Sequence, residues 1–127
     1  MRAQERGKAM KVLIVDDSKT TAKQLGQIID ELEGFEVIDI ASNGAEALKL
    51  YKQLSPDIVC LDIVMPVMNG LQALRTLLQQ DPQAKVVVIS SIGGVGGKVV
   101  EALKLGAKSV ISKPFEPQQV KEALESL

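Results

Sequence analysis

Three stretches of this sequence are apolar almost without interruption: "KVLIVD" (11–16), "IVCLDIV" (58–64) and "KVVVIS" (85–90). A strand with one solvated face alternates apolar and polar side chains. A continuous apolar run belongs to a strand covered on both faces, which is the condition of a parallel sheet flanked by helices. The segments between the runs have the helical period that such coverage needs.

"SKTTAKQLGQIIDELEG" (18–34) opens with an N-cap serine, repeats apolar residues at Ala22, Leu25, Ile29 and Leu32, and stops at Gly34. "EVIDIA" (36–41) is a more polar strand suited to an edge, and "GAEALKLYKQL" (44–54) is a helix closed by Ser55-Pro56. "GLQALRTLLQQ" (70–80) carries Leu71, Leu74, Leu77 and Leu78 on one face. "KVVEALKLG" (98–106) is a fourth helix and "KSVIS" (108–112) a fifth strand. Pro117 opens a last helix at its first position, with Val120, Leu124 and Leu127 facing inward. Five strands alternating with five helices predict a (βα)5 fold, a doubly wound five-stranded parallel sheet. Residues 1–10 read as a flexible polar extension and 11–127 as one domain.

Composition narrows the function classes. A net charge of −1 gives no electrostatic reason to bind nucleic acid or an anionic membrane, and 2% aromatic residues provide no stacking platform for bases. There is no histidine, so Ser-His and Cys-His catalysis and His-type zinc sites are excluded. The single cysteine, Cys60, lies inside an apolar run and reads as an inert buried residue in a reducing compartment. No run approaches the roughly 18 apolar residues of a membrane span, and the N-terminus lacks the apolar core of a secretory signal. The expectation is a cytoplasmic protein.

Open parallel sheets bind ligands beyond the carboxyl ends of their strands. Asp16 and Asp17 end the first strand, Asp62 the third and Ser90-Ser91 the fourth, while Lys113 follows the fifth. An acid at the end of so greasy a run as 58–64 must emerge from the core or meet a positive partner, because a buried unpaired carboxylate is expensive. Taken singly, each feature is ordinary: Asp-Asp after a strand is a common helix cap, Lys-Pro is a turn, and Met65-Pro66 and Asn69-Gly70 are loops. Four strands delivering polar residues to one edge are not.

"LIVDDS", "LDIVMPVMNG", a serine ending strand four and "SKPF", in this order, resemble the receiver domain of two-component response regulators, and most nearly its single-domain CheY-like members. The resemblance covers residues 11–127. It implies the flavodoxin-like strand order 2-1-3-4-5. It makes Asp62 the phosphoacceptor and Asp17 a direct Mg²⁺ ligand. Asp16 would act mainly through water, and the backbone carbonyl of Val64 would complete the metal shell. Ser91 becomes the hydroxyl that grips the phosphoryl group, with Ser90 the alternative one position away, and Lys113 the charge on the phosphoryl oxygens. Pro114 is expected in cis, aiming that lysine.

The chemistry agrees with the resemblance. Carboxylates 4 Å apart repel by about 4 kcal/mol per pair at an effective dielectric of about 20, so three of them call for a cation. An all-oxygen site with room for phosphate suits Mg²⁺. A carboxylate can take a phosphoryl group as an aspartyl phosphate, and lysine offers a mobile point charge.

Competing readings fit less well. "GGVGGKV" (93–99) lacks the first glycine of a Walker A loop, where Ile92 stands, and its final Ser/Thr, where Val99 stands. Val99 also replaces the third glycine of a dinucleotide loop, so the glycines of 93–97 read as a flexible switch loop. A haloacid-dehalogenase-type phosphatase would want a second Asp two places after the nucleophile, where the chain has Val64. A receiver fold that works without phosphorylation would not need the complete set of acids and lysine.

The resemblance further implies a signalling protein and not an enzyme proper. It would be phosphorylated by a sensor histidine kinase and act as a monomer by protein–protein contact. The surface would be the fourth helix, fifth strand and fifth helix, since no output domain follows. Chemotaxis, with a flagellar-motor switch component as target, is the leading case, and an intermediate in a phosphorelay the alternative. Relatives often carry an aromatic residue three places before the lysine; Val110 stands there. Tyr51 is expected in the core.

Overall fold

A computed structural model describes residues 9–63, 69–91 and 96–127. The continuous apolar runs become the central strands β1 (Met10–Val15), β3 (Ile58–Asp62) and β4 (Val86–Ser91), and β2 (Phe35–Ala41) and β5 (Ser109–Lys113) form the edges. All pairings are parallel and the order is β2-β1-β3-β4-β5, the doubly wound arrangement expected. Five helices connect and cover the sheet: α1 (Lys19–Glu31), α2 (Gly44–Leu54), α3 (Gly70–Gln80), α4 (Gly96–Leu105) and α5 (Pro117–Glu125).

Side-chain alternation divides the apolar residues into two clusters, one on each face of the sheet. Leu13, Val15, Val59, Leu61, Val86 and Val88 pack with Ala47, Ala73, Leu74, Leu77 and Ala102 of α2, α3 and α4. Val12, Ile14, Ile58, Cys60, Val87, Ile89 and Ile111 pack with Leu25, Ile29, Val120 and Leu124 of α1 and α5. Cys60 is fully buried, and burial pushes its thiol up to about 12, which keeps it protonated and unreactive. No helix among the described residues is long and apolar enough to cross a membrane.

Several boundaries differ from expectation. β1 begins at Met10, which pairs with Phe35, and Ala9 is already buried, so the sheet reaches into the segment read as an extension. α1 ends at Glu31, three residues early, because Leu32 turns extended (φ −81°, ψ 136°) and Gly34, at φ +93°, makes the turn into β2. Lys113 is the last residue of β5 and does not follow it; it pairs in register with Ser91. α4 takes Gly96 and Gly97 into its first turn instead of starting at Lys98. Packing of Val99, Ala102 and Leu105 against the α2–α3–α4 cluster supports that helix despite the poor propensity of its start. Tyr51 is half-buried at the rim of this cluster, where its hydroxyl donates to Asp81 Oδ2 at 2.5 Å.

Candidate phosphoacceptor site

The strand ends converge as alternation requires. Asp62 follows Ile58 and Cys60 in its series, Asp16 follows Val12 and Ile14, and Lys113 follows Ile111, so all three belong to the face covered by α1 and α5. Asp16 lies one residue past the end of β1, its N–H donating to Ala41 O at 3.0 Å. Asp16 and Asp62 are 1% and 6% exposed. Lys113 Nζ stands 3.4 Å from Asp16 Oδ2 and 3.4 Å from Asp62 Oδ2, the positive partner that the acid in the apolar run called for.

Asp17 is exposed, yet it offers a carboxylate oxygen to the same spot: one oxygen each of Asp16, Asp17 and Asp62 lies within 4.8 Å of the others. Three carboxylates against one ammonium leave these four groups with an excess of negative charge. Asp16 Oδ2, although buried, has no hydrogen-bond partner among the described residues, only the ion-pair contact with Lys113. A buried carboxylate oxygen without a hydrogen bond, in a cluster of three acids, fits a hard divalent cation. Between the two adjacent acids, the buried one is Asp16, expected from the sequence to act mainly through water, and Asp17 is exposed. Val64, expected to contribute its carbonyl, lies outside the described residues.

The two candidate serines separate. Ser90 belongs to the series of Val86 and Val88, is buried, and its hydroxyl donates to Ser91 O at 3.2 Å. Ser91 belongs to the series of Val87 and Ile89, is exposed at the end of β4, and pairs with Lys113. Alternation therefore puts Ser91, and not Ser90, on the side of Asp62 and Lys113. The Lys113–Pro114 peptide bond is cis.

Two contacts at the site have no signal in the expected motif roles. Ser18, read only as the cap of α1, donates its backbone N–H to Asp16 Oδ1 at 2.9 Å. Gly70, read as the residue where a loop passes into the helix 70–80, starts α3 directly against the end of β3. A Cβ there would collide with the carbonyl oxygen of Asp62 and the Cα of Ile63, and would lie 2.9 Å from the carbonyl carbon of Asp62. Both contacts are made across turns whose path a motif does not reveal.

Residues 12–125 match the response regulator receiver domain. The chain belongs to the response regulator receiver family. Among similar proteins, the chemotaxis protein CheY of Thermotoga maritima is 47% identical over 92% of this chain and 96% of its own length. The chemotaxis protein CheY of Listeria monocytogenes is 47% identical over 91% of this chain and 96% of its own. A chain in the crystal structure of the CheX-CheY-BeF3-Mg²⁺ complex of Borrelia burgdorferi superposes with a TM-score of 0.88. It is 42% identical, over 97% of this receiver and 92% of that chain. The receiver is thus a CheY-like response regulator by family, and its acidic cluster fits a phosphoacceptor site.

Proposed function

We propose that this receiver accepts a phosphoryl group on Asp62 from the phosphohistidine of a sensor histidine kinase, with Mg²⁺ as cofactor. The reading places it in the cytoplasm as a monomer that carries a chemotaxis signal. The observation that supports it most is the placement of one lysine ammonium 3.4 Å from each of two buried carboxylates, at the strand ends where Asp17 joins them. Asp16, Asp17, Asp62 and the backbone carbonyl of Val64 would hold the cation. When bound, Mg²⁺ supplies positive charge to the phosphoryl oxygens.

The transfer is a displacement at phosphorus. A carboxylate oxygen of Asp62 forms the new P–O bond as the P–N bond to the kinase imidazole breaks. The bonding pair returns to that ring nitrogen. Lys113, already beside Asp62, would stabilise the charge on the transferring group, and the Ser91 hydroxyl would donate to a phosphoryl oxygen. Output by protein–protein contact is supported by Val100 and Leu103 of α4, 51% and 44% exposed on the face away from the core. A flagellar-motor switch component is the target this reading favours, and the Borrelia relative is itself seen with a protein partner, CheX.

The test is incubation with acetyl phosphate and Mg²⁺, followed by intact-protein mass spectrometry. The wild type should gain one phosphoryl group that base and hydroxylamine remove, and Asp62→Asn should gain none while keeping its fold. Wild-type labelling of Asp62→Asn would remove Asp62 from the reaction.

A further inference from the structure

The deeper of the two adjacent acids is held from the helix that follows it. Asp16 Oδ1 accepts the Ser18 N–H at 2.9 Å, which leaves Oδ2 as the oxygen turned toward Lys113. The direction of that N–H depends on the Ser18 backbone, held extended (φ −93°, ψ 111°) as the N-cap of α1. Its hydroxyl oxygen fixes this conformation by accepting from Thr21 N–H at 3.3 Å and from Thr21 Oγ1–H at 3.0 Å. The contacts run in one series: Thr21 hydroxyl to Ser18 Oγ, Ser18 amide to Asp16 Oδ1, and Asp16 Oδ2 into the acid cluster.

On the reading that this cluster holds Mg²⁺, we propose that Ser18 and Thr21 are positioning residues that aim Asp16 Oδ2 at the cation. A cap on its own needs only a side-chain oxygen facing the first-turn amides. This one also ties the capping residue's own N–H to a buried carboxylate whose other oxygen, turned toward Lys113, has no hydrogen-bond partner among the described residues. Groups that orient a metal ligand from behind commonly change affinity 10- to 100-fold when removed. The partial exposure of Ser18 places it at the lower end of that range.

The experiment is a Mg²⁺ titration of the full chain, followed by amide chemical shifts, with thermal unfolding in EDTA measured in parallel. Ser18→Ala should bind Mg²⁺ about tenfold more weakly, and Thr21→Val should weaken it in the same direction. Ser18→Thr, which keeps the hydroxyl, should restore wild-type affinity. Tyr51→Phe removes a hydrogen bond between the C-terminal ends of α2 and α3, at the opposite edge of the sheet, and should lower stability without changing Mg²⁺ affinity. Wild-type affinity in Ser18→Ala overturns the proposal, as does an equal loss in Tyr51→Phe, which would make the effect one of stability alone. If Ser18→Ala does not fold, wild-type affinity in Thr21→Val overturns it instead. Absence of Mg²⁺ binding in the wild type would overturn both this inference and the cofactor reading beneath it; binding that Ser18→Ala leaves intact would overturn only the inference.

Discussion

At the scale of single residues, the site is a balance between Lys113 and the acids around it. Lys113 serves two carboxylates at once, and Asp16 is only 1% exposed. Removing one partner of a buried pair leaves the other charge uncompensated, at about 3–5 kcal/mol when burial is complete. Lys113 is 27% exposed, so Lys113→Met should cost less, about 2 kcal/mol, in urea unfolding with EDTA. Added Mg²⁺ should recover part of that loss, because a divalent cation offsets the same charges; a loss independent of Mg²⁺ would separate the lysine from the cation site. Gly70 is decided by sterics. Any Cβ there meets backbone of Asp62 and Ile63 that cannot rotate away, so Gly70→Ala should destabilise by about 3 kcal/mol and impair labelling by acetyl phosphate. Wild-type stability in that variant would mean that α3 does not start against β3 as described.

Among the secondary-structure elements, α2 and α3 are clipped together by the bond from Tyr51 to Asp81 Oδ2. Burial and the neighbouring Asp81 carboxylate raise the Tyr51 phenol from 10.0 to about 12. The raised value means that the folded protein favours the protonated phenol. Stability from this group is therefore complete below pH 10 and lost as pH climbs from 10 toward 12. Tyr51→Phe should cost about 1 kcal/mol at neutral pH, the usual worth of a half-exposed hydrogen bond to a charged group. Its unfolding midpoint should also fall less than the wild type's between pH 10 and 12. Parallel alkaline losses in the two proteins would show that the phenol keeps its ordinary value.

For the molecule as a whole, the question is how a phosphoryl group at one edge changes a surface elsewhere. Val110 lies in β5 beside Val88 and packs on the α2–α3–α4 cluster. A β-branched side chain is stiff at χ1 and too small to make the excursion that an aromatic ring can. The first turn of α4 is the weaker element, with two glycines that each lower helix stability by about 1 kcal/mol. With beryllofluoride and Mg²⁺ bound, amide hydrogen exchange should change mainly across 92–101, and Ser91→Ala should suppress the change. A response confined to α5, or one that survives in Ser91→Ala, would rule out this route.

The sequence by itself determined the architecture, since continuous apolar runs need cover on both faces and the helical periods between them supply it. It also showed which strands carry acids and the lysine toward one edge, because these polar residues break or follow the apolar runs, although Lys113 proved to be the last residue of β5 and not the one after it. Helix ends were less legible: α1 stopped at Glu31 and α4 began at Gly96 because terminal turns follow packing and local dihedrals more than propensity. The choice between Ser90 and Ser91 stayed open in the sequence, as motif spacing can slip by one. Strand alternation and the pairing of Ser91 with Lys113 placed them on opposite faces. Only the tertiary structure decided that Asp16 is the buried acid, that Lys113 stands equally near Asp16 and Asp62, and that Ser18 and Gly70 touch the site. These are contacts between segments far apart in the chain or across a turn, and their distances depend on the twist and packing of the whole sheet, which no local stretch of residues specifies.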